Sequence, residues 1–205
     1  QGGPQNLKGS GSYDAKTANG QFKANGKGLS LPLLNPFSES ASGMRILSGK
    51  GDLALDASRA GEKNPFNVKG DLKLASLSVK DLSGKKANIN LNSIDLNLDS
   101  SYAEQADRLD IRNLSLRVED IPLNVSGKVE AVKDSAKRNL NLAIKGKGVD
   151  VGRVMALTSP ETAKGATLVG KADVDVNVSG RPSSDKFPIL VGSVNTPGLT
   201  YIPVE

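Results

Sequence analysis

The stretch KANINLNSIDLNLD, residues 86–99, decides the fold class. Ala87, Ile89 and Leu91 alternate with Asn88, Asn90 and Asn92; beyond Ser93, Ile94, Leu96 and Leu98 alternate with Asp95, Asn97 and Asp99. A period of two marks a strand with one apolar and one polar face. The change of parity at Asn92–Ser93 predicts a bulge or bend, because one extra residue lets the aliphatic row keep facing the same side.

The same grammar extends outward in both directions. Phe66, Val68, Leu72 and Leu74 form one row, continued by Leu77 and Val79; Leu109 and Ile111 lead into Leu114, Leu116 and Val118. Further on come Leu123 and Val125, then Leu140, Leu142 and Ile144, then Val174, Val176 and Val178. Turn signals separate these segments at Asn19-Gly20, Asn25-Gly26, Arg59 to Asn64, Ser83-Gly84, Asp134 to Lys137 and Gly180 to Lys186. Connections this short join antiparallel neighbours, so the expectation is all-β: a long, curled, meandering antiparallel sheet of roughly ten to twelve strands, with two short helices. For the first helix, Ser30 is the expected cap, Pro32 sits in the first turn and Pro36 limits the length. For the second, Asp150 is the expected cap of a segment holding Val151, Val154, Met155 and Thr158, ended before Pro160.

An internal repeat runs through this pattern. GKGLSL at 26–31 lines up with GKGVDV at 146–151, and GKGDLALD at 49–56 with GKADVDVN at 170–177. Phe66 matches Phe187, while Gly70 and Leu77 match Gly192 and Leu199. The unit is about 120 residues, a hairpin, a short helix and a run of long strands. The whole chain therefore reads as a single region, one unit at about 26–145 and a partial one at 146–205. The opening Gln1–Pro4 reads as a cut end.

Composition removes most chemistry. The 205 residues contain no Cys, His or Trp, only four Phe and three Tyr, and carry a net charge of +5. Thiol and imidazole mechanisms, zinc sites and iron–sulfur clusters therefore cannot be built from this chain. Lys and Arg are spread along the chain with no run longer than two, and no basic-aromatic cluster exists, so a nucleic-acid partner is not expected. No apolar run in this chain is long enough to span a membrane, and no charged-then-apolar stretch occurs in it, so neither a span nor an export signal is expected within these residues. Asp173, Asp175 and Asn177 share a strand face, but ligands there stand about 7 Å apart and do not converge on a calcium ion. Glu119, Asp120 and Glu161 lie beside turns, where solvation accounts for them. Glycines fall singly rather than in a phosphate-binding loop. The expectation is a non-catalytic protein with no cofactor and no metal.

A sheet with one continuous aliphatic face must cover it, because each buried aliphatic side chain is worth roughly 1.5–3 kcal/mol. Two short helices are too small. The sheet either folds over as a sandwich, closes as a barrel, or forms a trough filled by another molecule. The candidate lining comprises Leu72, Leu74, Ile89, Leu91, Ile94, Leu96, Leu98, Leu114, Leu116, Val118, Leu140, Leu142, Ile144, Val174 and Val176. Lys73, Lys128, Lys145 and Lys171 are candidate headgroup contacts, with a solvated polar face as the plainer reading.

Five segments carry a resemblance: LSGKGDLAL at 47–55, VKGDLKLASLSV at 68–79, LDIRNLSL at 109–116, PLNVSGKV at 122–129 and GVDVGRVMAL at 148–157. In that order they resemble the large C-terminal region of the AsmA family of bacterial envelope proteins, over roughly residues 10–205. The resemblance implies a periplasmic body held at the inner membrane by segments outside this chain. It also implies a β-groove similar to those of repeating lipid-transfer proteins, with phospholipid or another acyl lipid as partner and a role in outer-membrane biogenesis. It favours the trough among the three solutions.

Overall fold

Strand-length segments of alternating aliphatic and polar residues, joined by tight turns, pair with their sequence neighbours, and the computed structural model shows that outcome throughout. It describes residues 6–84, 88–158, 166–182 and 188–203. One ten-stranded antiparallel sheet runs in sequence order: β1 (Asn6–Asp14), β2 (Asn19–Ser30), β3 (Met44–Ala60), β4 (Phe66–Asp81), β5 (Ile89–Ala103), β6 (Arg108–Val118), β7 (Ile121–Glu130), β8 (Asn139–Asp150), β9 (Ala166–Gly180) and β10 (Ile189–Pro203). The sheet is open, because β1 and β10 do not pair with each other. Neither self-packed solution, sandwich or barrel, is adopted. Ala87, Pro160, Glu161, Phe187 and the far part of the Gly180–Lys186 turn lie outside the described residues.

Two helical segments occupy one end of the sheet. A 3-10 turn (Leu31–Leu34) runs into α1 (Asn35–Ser42), and α2 (Val151–Thr158) follows β8. The sequence expectation holds for the second: the Asp150 carboxylate accepts a 2.9 Å hydrogen bond from the Arg153 N–H, an N-terminal cap. It fails in detail for the first. Ser30 makes no side-chain cap, and Pro36 stands in the first turn of α1 rather than limiting the helix. The missing proline N–H is harmless at that position, so Pro36 starts what it was expected to end.

Parity changes read from the sequence correspond to irregularities in pairing. In β6 the register skips Arg112 and Asn113 between Ile111 and Leu114 against β7, so Leu109, Ile111, Leu114 and Leu116 all remain on one face. The Arg112 side chain fills the step, hydrogen bonding to Asp99 at 2.8 Å and to the Ser100 carbonyl at 3.0 Å. In β5 the step falls between Leu91 and Ser93 and is matched across the ladder by Ser76 of β4, held at φ 52°. Asn25-Gly26 is not a turn. It lies inside β2, where the register shifts between Gly26 and Leu29.

That shift explains Gly28. Its φ of +59° belongs to the left-handed region, and its N–H is donated to the Asp52 carboxylate at 2.7 Å. Gly148 does the same at φ +64°, donating to Asp173 at 2.7 Å beside a shift between Gly146 and Val149. One device thus occurs at two places offset by 120 residues.

Glu119 departs from its expected solvation. At the β6–β7 turn its side chain is only 8 % exposed. Its carboxylate accepts the Asn92 N–H at 2.5 Å and the Asn92 amide at 3.3 Å, and meets Arg153 at 3.1 Å. One carboxylate therefore ties the β5 step, the β6–β7 turn and α2 together. The Asn92 N–H above all, with help from Arg153 and against the opposing effect of burial, lowers the Glu119 pKa below the ordinary carboxylate range.

A carboxylate with a depressed folded pKa adds stability above its unfolded pKa, and that contribution disappears as pH falls through the folded value. Glu119→Gln is expected to lower stability at pH 7 and to flatten the loss between pH 5 and 3, checked by urea denaturation across that range. Substitution at two glycines should separate backbone from packing cost. Gly28→Ala, with open space around its Cβ, should cost about 1 kcal/mol. Gly127→Ala, whose Cβ would stand 2.1 Å from the Asn141 carbonyl oxygen at φ +131°, should cost about 3 kcal/mol or more in the same measurement.

Candidate functional site

Antiparallel partners share a face, so the registers map the aliphatic surface directly. One row crosses Gly26 of β2, Leu53 of β3, Leu72 of β4, Leu96 of β5, Leu116 of β6 and Leu123 of β7. A second joins Leu98, Leu114, Val125, Ile144 and Val176, and a third joins Gly127, Leu142, Val178 and Leu190. Leu74, Ile94 and Val118 pair in sequence, as do Val129 with Leu140 and Gly146 with Val174. All the predicted lining residues except Ile89 and Leu91 therefore fall in these rows. Ile89 and Leu91 pair with Val79 and Leu77, beyond the Ser76–Asn92 step. Sequence reasoning left Leu53, Leu123, Val125 and Val178 out of the lining; their cross-strand partners now assign them to it.

Among the described residues no second layer covers this face. Leu72, Leu96, Leu116, Leu142, Ile144 and Val176 are half-buried, shielded by neighbours in their own sheet. Among the described residues no large side chain is fully buried, and the buried apolar set is confined to Ala24, Leu31, Ala57, Ile121, Val149, Ala172 and Val178. The chain exposes 13481 Å². A compact monomer of this length would expose roughly 9,000 Å². The excess is what a single-layer sheet leaves uncovered.

The two strand-end rims differ. At one, the helices lean on the sheet: Leu31 is buried, and a Cβ at Gly51 would meet Leu31 Cδ2 at 3.0 Å and Leu74 Cδ2 at 3.2 Å. Leu33, Leu34 and Phe37 remain exposed beside it. At the other, polar side chains are locked together. The Tyr102 hydroxyl donates to Asp107 at 2.8 Å, Lys133 sits 5.8 Å from the Tyr102 ring centre, and Arg59 pairs with Glu104 at 3.0 Å. The Tyr102–Asp107–Lys133 cluster was not visible in the sequence, because its members are separated by a turn and a neighbouring hairpin. A recess of about 600 Å³ near this rim is lined by Tyr13, Asp14, Asn19, Arg59 and Asn67, and its walls mix polar and apolar surface.

The opposite face carries charges of alternating sign. Lys23, Asp56, Lys69 and Asp99 stand opposite one another across β2 to β5, and Asp52, Lys73, Asp95 and Arg117 do so across β3 to β6. Lys23 and Asp56 approach to 3.3 Å. Lys145 meets Asp175 at 3.1 Å and Lys128 meets Glu130 at 3.6 Å. Of the candidate headgroup lysines, Lys73, Lys128 and Lys145 thus face carboxylates on the polar side, and Lys171 stands opposite Asp150. Asp173 and Asp175 are likewise engaged, with Gly148 and Lys145. Among the described residues no three acidic side chains cluster to hold a metal ion, and no helix is long and apolar enough to cross a membrane.

No family model, curated protein or solved structure matches this chain. A charge-ladder substitution tests the two-face assignment by itself. Lys145→Ala removes one exposed pair and should change stability by less than about 1 kcal/mol in a thermal melt, whereas Val178→Asp, buried on the aliphatic face, should cost several times that.

Proposed function

We propose that this chain is a non-catalytic β-groove of the bacterial envelope that shelters phospholipid acyl chains and contributes to their passage between inner and outer membrane, in support of outer-membrane biogenesis. The observation that carries this reading is the uncovered aliphatic face, continuous across an open sheet. Ten strands spaced about 4.8 Å apart give a surface about 45 Å long, enough for several acyl chains side by side. Aliphatic walls without polar anchors suit fluid chains, which gain from apolar contact without a fixed binding pose. The resemblance of residues 47–55, 68–79, 109–116, 122–129 and 148–157 to the AsmA family supports the placement in the periplasm and the attachment to the inner membrane by other segments.

The face is tested where two neighbours meet. Leu96 and Leu116 are cross-strand partners in the middle of the sheet. Leu96→Asp and Leu116→Asp should each lower the affinity for a fluorescent acyl-chain probe at least tenfold, with the far-UV circular dichroism spectrum retained. Wild-type protein that fails to bind the probe, or variants that unfold, would count against an open lipid-binding face.

A further inference from the structure

The outer edge of β10 has no partner among the described residues, and the repeated geometry specifies what fits there. β2, β3 and β4 correspond to β8, β9 and β10 at offsets of 120 to 122 residues. The correspondence is geometric as well as textual: register shifts at Gly26–Leu29 and Gly146–Val149, the Gly28–Asp52 and Gly148–Asp173 hydrogen bonds, and wide positive φ angles at Gly49 (140°) and Gly170 (154°). β10 therefore stands in the sheet as β4 does. β4 carries β5 on its far edge, in antiparallel register Gly70↔Leu98, Leu72↔Leu96, Leu77↔Leu91 and Val79↔Ile89. Carried over by 122 residues, the same register sets aliphatic side chains opposite Gly192, Val194, Leu199 and Tyr201.

The edge itself is prepared for pairing. β10 is exposed along its length, with Val191 63 % and Val194 62 % exposed, and Ile189–Pro203 contains no charged residue. Sheet edges that avoid association normally carry charges, prolines or bulges. Here such features are the Asn195–Gly198 irregularity, which holds Pro197, and Pro203 at the strand's end, and both leave Ile189–Asn195 in unbroken register with β9. Added strands of this kind draw affinity from backbone hydrogen bonds and specificity from alternate side chains.

We propose that the free edge of β10 is a strand-addition site for an extended polypeptide segment with the chemistry of β5: Leu or Ile at alternate positions towards the aliphatic face, Asn, Asp or Ser on the other. Such a segment extends the pairing already present in the sheet and lengthens the aliphatic face by one strand. The inference depends on strand pairing alone and holds or fails apart from lipid binding.

A synthetic peptide of residues 89–103, added to the intact chain, tests it by hydrogen–deuterium exchange read at residue level. Saturating peptide should slow exchange of alternate amides within Ile189–Asn195 at least tenfold and leave β1 unchanged. The same peptide N-methylated on alternate residues keeps its side chains but cannot pair, and should give no protection. In the chain, Val194→Pro should abolish the protection with circular dichroism unchanged. Absence of protection in β10, equal protection by the N-methylated peptide, or protection in β1 instead would overturn the proposal. So would a concentration-dependent dimer of the peptide-free chain that protects the same amides, because the occupant would then be a second copy.

Discussion

Every strand must present its aliphatic side chains on the same face as those of both neighbours, and the rest of the structure follows from that constraint. A slip of one residue would send a whole strand's Leu and Val to the charged side. The irregularities are the means of meeting it. Arg112–Asn113 in β6, the paired steps at Ser76 and Asn92, and the shifts after Gly26 and Gly146 each absorb one misfit in parity. Polar groups brace several of them: Arg112 on Asp99 and the Ser100 carbonyl, Glu119 on Asn92, and Asp52 and Asp173 on glycine N–H groups.

A sheet that satisfies this constraint on one layer stays energetically incomplete. Side-by-side aliphatic neighbours shield one another only partly, which is why Leu96 and Ile144 remain half-buried and why the buried set is dominated by small or peripheral residues. Charge ladders make the opposite face soluble and oppose stacking of sheets through that side. The helices cover one rim and no more. What remains is an aliphatic surface with a direction, running across the strands from β1 to β10, and acyl chains are the occupant proposed for it.

Much of this was legible in the residues. Period-two alternation located most of the strands, the short turns implied a meander, and the parity changes marked where the ladders would step. The lining residues from Leu72 to Val176 came together because cross-strand pairing preserves faces, a property that alternation already encodes. The misses share a cause. Asn25-Gly26 looks like a hairpin turn, yet its residues are claimed by β1 and β3 on either side, and tertiary pairing overrides local turn preference. Pro36 and Glu119 depended on which neighbour arrives in space, an amide of β5 or the end of a 3-10 turn, and no local pattern records that. The choice between sandwich, barrel and trough was equally closed to periodicity, because all three require the same alternation.

The central claim is that the aliphatic face is open and takes lipid rather than packing on itself. Native mass spectrometry of the purified chain, followed by organic extraction of whatever travels with it, tests this most directly. The account predicts adducts of phospholipid mass that are lost on extraction and reduced in Leu96→Asp. A chain that emerges lipid-free from a lipid-rich expression host, and that acquires no adduct when mixed with phospholipid, would contradict it.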